Sequence, residues 1–195
     1  MSKRVMVIVA MLTVGLFASL GLAQDTTQDA SMKHDSMKHD SMKKDNASML
    51  SSSDKKFVME TAQDGMMEVE LAKLAVDKAS SEEVKQYAQR LVDDHTKANG
   101  ELTQLASQKG VMVPQDEKAM MKSKDKLSKL SGAAFDREFM NLMVKDHTKA
   151  VKEFEDASTK SKDTDLKDWA AKTLPTLREH LQMARDINTK VAMNK

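Results

Sequence analysis

Residues 80–110 read SSEEVKQYAQRLVDDHTKANGELTQLASQKG, and this stretch decides the fold. It opens with the capping box Ser80-Ser81-Glu82-Glu83, in which a hydroxyl and a carboxylate satisfy free amides at a helix start. It closes at Gly110, the residue type best suited to the left-handed turn that follows a helix. Between these signals Val84, Ala88, Leu91, His95, Ala98, Leu102 and Leu105 alternate in steps of four and three, the spacing of a buried helical seam. A long helix with one such stripe must bury it against partners.

The same period continues outward on both sides. It predicts a helix from about Asp54 to Ala79, another from Ser131-Gly132 to near Thr159, and a fourth from Thr164-Asp165 to about Val191. Composition agrees: with 6 Gly and 2 Pro in 195 residues the chain lacks the turns of an all-β fold, and with no Cys it has neither disulfides nor thiolate metal sites. A formal charge of +1 gives no basic excess to recruit nucleic acid. Val111 to Leu130 is a link of about 20 residues, with Pro114 and a short amphipathic stretch, while the other two links are only a few residues long. Short links join antiparallel neighbours and one long link crosses the bundle. The prediction is therefore an all-α, ferritin-like four-helix bundle with a long crossover between helices 2 and 3.

Internal echoes support similar helices. Asp94-His95-Thr96-Lys97-Ala98 recurs as Asp146 to Ala150, and Glu83-Val84-Lys85-Gln86-Tyr87-Ala88 is echoed by Asp165-Leu166-Lys167-Asp168-Trp169-Ala170. The echoes tie helix 2 to both helix 3 and helix 4, so they define no clean duplication.

Lys3 and Arg4 precede an apolar run from Val5 to Ala23 that ends in Gly21-Leu22-Ala23, small residues suited to signal peptidase. Residues 1–23 are read as a secretory signal peptide, placing the rest of the chain in the periplasm or outside the cell, with no membrane span after cleavage; the competing reading is an uncleaved anchor. Residues 24–52 form a polar linker in which Ser31-Met32-Lys33-His34-Asp35 recurs as Ser36 to Asp40 and, with one change, as Ser41 to Asp45. Such a tract buries too little apolar surface to fold. It is a tether, or a metal-capture segment using Met32, Met37 and Met42 with His34 and His39, since thioethers select Cu(I) and imidazole suits copper or zinc. Residues 53–195 are the folded domain.

One polar residue interrupts the seam of each helix. His95, His147 and His180 lie on the inward rows of helices 2, 3 and 4; in helix 1 Glu68 lies either on a seam of small residues, Thr61, Gly65, Ala72, Ala75 and Ala79, or at the margin of a more apolar seam, Val58, Ala62, Gly65, Val69, Ala72 and Val76. Each is 14 or 15 residues from its helix start, at about 1.5 Å per residue near mid-length, so antiparallel packing brings all four to one layer. Burying them without partners costs several kcal/mol. Two solutions remain open: one transition metal ion, zinc, iron or copper, held by Glu68, His95, His147 and His180, or a metal-free network of these residues and water. Each histidine follows an acid, Asp94, Asp146 or Glu179. Adjacent helical positions diverge by about 100°, so such an acid is either a solvated charge or an orienter of an imidazole on a neighbouring helix. Pro175 should kink helix 4. Met59, Met66, Met67, Met140, Met143 and Met183 read as core fillers.

The stretches Glu68 to Ala75, Tyr87 to His95, Ser131-Gly132 with Phe135-Asp136, Asp146-His147, and Thr173 to His180 together resemble domain of unknown function 4142. This resemblance, which covers about Ser53 to Val191, implies an exported bacterial protein of the periplasm or outer membrane with a ferritin-like bundle, and it implies no reaction. Di-iron sites of ferritin-like proteins use Glu-x-x-His. Val92, Val144 and Leu177 stand where that glutamate would be, so an oxidase is disfavoured and no other catalytic motif is present. Two functions stay open: a metal-binding bundle in metal handling or envelope stress tolerance, and a metal-free structural or interaction module of the envelope.

Overall fold

The structure is a computed structural model that describes residues 50–113 and 124–193. The run Val5–Ala23, the repeats from Ser31 to Asp45, Pro114 and the amphipathic stretch after it lie outside the described residues. The described chain is all-α: α1 spans Ser52–Lys78, α2 Glu82–Gln108, α3 Gly132–Lys160 and α4 Thr164–Met193, with a short helical turn at 124–128. Among the described residues no helix is long and apolar enough to cross a membrane.

Two of the termini follow local rules. At the start of α1 the Ser51 hydroxyl accepts from the Asp54 amide at 3.1 Å. At the end of α2 Gly110 has φ 69°, and the pair of bonds Val111 N to Ala106 O at 2.8 Å and Gly110 N to Ser107 O at 3.0 Å closes a Schellman turn.

The capping box expected at Ser80–Glu83 does not form, because a distant carboxylate supplies a stronger acceptor. Ser81 is the cap residue, yet its side chain makes no capping bond. Asp136, in the first turns of α3, accepts from the Ser80 amide at 3.0 Å, the Ser80 hydroxyl at 2.5 Å and the Ser81 amide at 2.9 Å. The opposite hairpin has the matching arrangement. Asp54, in the first turn of α1, accepts from the Lys162 amide at 3.3 Å, and Asp163 caps α4 through the Leu166 amide at 3.0 Å while pairing with Lys109 at 2.8 Å. Each hairpin turn is thus held by an acid from the first helix of the other hairpin.

Each helix packs on two neighbours: α1 on α2 and α3, and α4 on α2 and α3. Two apolar clusters set the directions. One joins Leu71–Ala79, Val84–Leu91, Phe135–Met143 and Ala184–Val191; the other joins Val58–Ala62, Leu102–Val111, Phe154 and Leu166–Leu177. Every adjacent pair is therefore antiparallel, and α2 and α3 run the same way, so the end of α2 and the start of α3 lie in different clusters.

Three expectations on single residues are refined. Pro175 lies in α4 at an exposed position and does not end the helix. Met140 and Met143 are fully buried and Met67 and Met183 pack on the same cluster, whereas Met59 is 41% exposed and fills no core. Leu71, on neither predicted α1 seam, is fully buried.

Asp136 is 3% exposed and takes three hydrogen bonds. Asp136→Ala should cost about 3 kcal/mol, because it removes charge-assisted bonds and leaves turn amides unpartnered. Urea unfolding checks this; Asp136→Asn should retain part of the loss, and an alanine variant as stable as the parent would show that the latch contributes nothing.

Candidate functional site

Between the two apolar clusters lies a polar layer. Glu68 on α1 is 6% exposed, His95 on α2 7%, His147 on α3 0% and His180 on α4 1%. The imidazoles form a nearly equilateral triangle with centroid separations of 5.5 Å for His95–His147, 5.4 Å for His95–His180 and 5.4 Å for His147–His180. One ring nitrogen from each lies within 4.8 Å of the others.

The three rings are held alike. His147 Nδ1 lies 3.1 Å from the Met143 carbonyl and must donate to it. His180 Nε2 donates to Asp94 Oδ2 at 2.8 Å. His95 Nδ1 faces Glu68 Oε2 at 3.2 Å, an acceptor that favours the proton on that nitrogen. A neutral imidazole carries one N–H, so the remaining nitrogens, His95 Nε2, His147 Nε2 and His180 Nδ1, offer lone pairs. All three are buried without a hydrogen-bond partner.

Burial keeps the His147 and His180 rings neutral. Desolvation holds His147 below the usual imidazole range against the field of Glu68. It brings His180 down to about 4, although the bond to Asp94 opposes it. For Asp94, burial pulls upward, but bonds from His180 and Arg90 hold the carboxyl below its usual range. Arg90 contacts Asp94 at 3.3 Å and Glu179 at 2.5 Å, tying α2 to α4 beside the site.

Glu68 stands apart from the lone pairs. Its oxygens meet Nδ1 of His95 at 3.2 Å and Nδ1 of His147 at 3.6 Å, the sides of those rings opposite their unpartnered nitrogens. Among the described residues the ligand-like group consists of the three histidines without it.

The acids preceding the histidines have three different fates. Asp94 orients the His180 ring across the α2–α4 interface. Glu179 is 61% exposed and pairs with Arg90. Asp146 has an unpartnered buried Oδ2, and burial together with the charges of Glu68 and Asp64 pushes its carboxyl up to about 6. Tyr87 was not singled out by sequence reasoning for the site, yet it is fully buried, its ring stands 6.4 Å from His180, and its hydroxyl has no partner. The echo pairing Tyr87 with Trp169 was the available signal: the Trp169 indole nitrogen is likewise buried and unpartnered.

Residues 39–187 match the family described as domain of unknown function (DUF4142). No curated protein matches the chain. Among solved structures, a DUF305 fragment from Deinococcus radiodurans is 16% identical, with a TM-score of 0.64, covering 72% of this chain and 98% of its own. A second, CopM in the Cu(II)-bound form, is 19% identical, with a TM-score of 0.58, covering 70% of this chain and 96% of its own. At these identities both likenesses concern the fold.

The depressed His180 pKa has a pH signature. Its ring stays neutral in the fold down to about 4 but protonates near 6.5 when unfolded, so its stabilisation is full above 6.5 and is lost as pH falls toward 4, by no more than about 3 kcal/mol. His147 acts in the same direction, with Tyr87, Asp94, His95 and Glu68 as the surrounding groups. Asp146 acts oppositely, since its raised pKa favours the fold as pH falls through about 6. In metal-free urea unfolding at pH 7 and 4.5, His180→Gln should lose less stability than the parent and Asp146→Asn more. Identical losses in all three would refute the assignment.

Proposed function

We propose that this chain, which belongs to the DUF4142 family, is an exported ferritin-like four-helix bundle that binds one transition metal ion through His95, His147 and His180. Its role would be metal handling or tolerance of envelope stress. The observation that carries the reading is that three buried histidines from three helices bring one ring nitrogen each within 4.8 Å of one another, and that each ring has a buried nitrogen without a partner. Three lone pairs cannot satisfy one another, whereas a cation satisfies all three at once. The opposite sides of the rings support it too, because ligating histidines commonly donate their other N–H to a carboxylate or carbonyl, here Asp94 and Met143 with Glu68 facing His95.

In this reading Glu68 orients His95 and supplies charge near the ion, and need not ligate it. Nitrogen donors alone suit copper or zinc better than the hard cations. The Cu(II) carried by CopM, a protein of like fold, favours copper. The bundle assignment draws on the ring of antiparallel helices and the long link between α2 and α3, and the export on the amino-terminal run. A metal-free network is the second reading, favoured by the fact that each ring already has one partnered or carboxyl-facing nitrogen; it needs water to meet the other three.

Elemental analysis of the purified full chain after loading with Cu(II) or Zn(II) tests this. His95→Ala and His147→Ala should each lose one equivalent relative to the parent, whatever the repeats capture in addition. Glu68→Gln should weaken that equivalent about 10- to 100-fold and keep its stoichiometry, as expected of an orienting residue. Equal metal content in parent and both histidine variants would sink the reading.

A further inference from the structure

A cavity of about 120 Å³ adjoins the histidine layer on the side of His95 and His180. It exists because small residues border it. Gly65, Ala98 and Ala150 line the walls, and the Asn99 side chain closes over Gly65, its Oδ1 2.2 Å from where a Cβ would stand. His95 and His180, each more than nine-tenths buried and each with an unpartnered nitrogen, form one end. Asp146 also lines the cavity, with an unpartnered Oδ2.

Three protein ligands leave a borderline cation at least one open coordination position. Here the space beside the ligands is roomy enough for several heavy atoms, and Asp146 on its lining has an unused acceptor. The further carboxyls of Glu68, Asp94, Asp64 and Glu153 along the same walls disfavour an anion, even with Lys149 present, since Lys149 is already paired to Asp64 at 2.9 Å.

We propose that the cavity seats an exchangeable ligand: a small neutral molecule that gives a lone pair to the bound metal and an N–H or O–H to Asp146 Oδ2. This rests on the metal-binding reading and adds to it a second site for a ligand class, small neutral nitrogen or oxygen bases. Asp146 is then the residue that selects a protonated donor, and it is a positioning residue for the ligand, not for the metal.

The test uses the full chain loaded with one equivalent of Cu(II), with its visible and EPR spectra as the readout. Imidazole carries both a lone pair and an N–H; 1-methylimidazole keeps the lone pair and lacks the N–H; azide is the anionic comparator. Imidazole should perturb the copper spectrum saturably and bind about tenfold more tightly than 1-methylimidazole, the worth of one buried hydrogen bond, and more tightly than azide. Asp146→Ala should bind copper as the parent does and lose the preference for imidazole. Ala98→Leu, which fills the wall one turn from His95, should keep copper and lose the response to all three.

Copper bound at the histidines with no spectral response to any probe would mean a closed site and would overturn the proposal while leaving metal binding intact. Equal affinity for the two imidazoles would remove Asp146 from it. A response that persists in His147→Ala would place the ligand elsewhere on the chain and overturn it as well. Absence of histidine-dependent copper would fell both readings together.

Discussion

A neutral imidazole can donate from only one of its two nitrogens, and the layout of this protein follows from that constraint applied three times in one buried layer. Each ring has a nitrogen set against a carbonyl or a carboxyl, and each has a second nitrogen turned into the interior with nothing to meet. The two apolar clusters flank this layer on either side. The layer must also be rigid. Each ring comes from a different helix, so a slide of one helix by a single turn, about 5.4 Å, would remove a ring from the triangle altogether.

The acids at the hairpin turns address that requirement. Asp136 fastens α3 to the α1–α2 turn and Asp54 fastens α1 to the α3–α4 turn, at opposite ends of the molecule. Together with the Arg90–Asp94–His180 chain across α2 and α4, they oppose axial sliding, which apolar packing resists only weakly because it has no direction. The same exchange of acids exposes a correspondence between the hairpins. Under it α1 matches α3, α2 matches α4, His95 answers His180, and Glu68 answers His147.

Much of this was legible beforehand. The seam of α2, the position of Gly110 and the equal depth of Glu68, His95, His147 and His180 require only helix geometry and the sequence. The caps and the orienting contacts were not legible, since they depend on which helices become neighbours. Ser80 and Ser81 look like a local capping box, and nothing near them reveals that Asp136, 55 residues away from Ser81, will accept from their amides and the Ser80 hydroxyl in place of the local glutamate. Asp94, Asp146 and Glu179 occupy the same local setting before a histidine. Only the interface beyond each one decides that the first meets an imidazole, the second a cavity and the third an arginine. The hairpin correspondence was hidden for a related reason: the most conspicuous repeat, Asp94–Ala98 with Asp146–Ala150, joins α2 to α3, which the packing does not pair.

That correspondence also bears on what the layer can do. A fully symmetric version would place a fourth imidazole where Glu68 stands and would offer four nitrogens to the interior. The carboxyl instead turns to the Nδ1 sides of two rings, so the inner donor set stays at three nitrogens and a negative group sits behind them. Carboxylates that bridge two irons must reach the ions directly, whereas this one is engaged with Nδ1 of His95 and His147. The absence of Glu-x-x-His and the pairing of Glu68 with two imidazoles are both unlike the carboxylate bridge of a di-iron site. Substituting the carboxyl for the fourth ring leaves the layer with three imidazoles instead of four. The cavity beside His95 and His180 lies against that incomplete set.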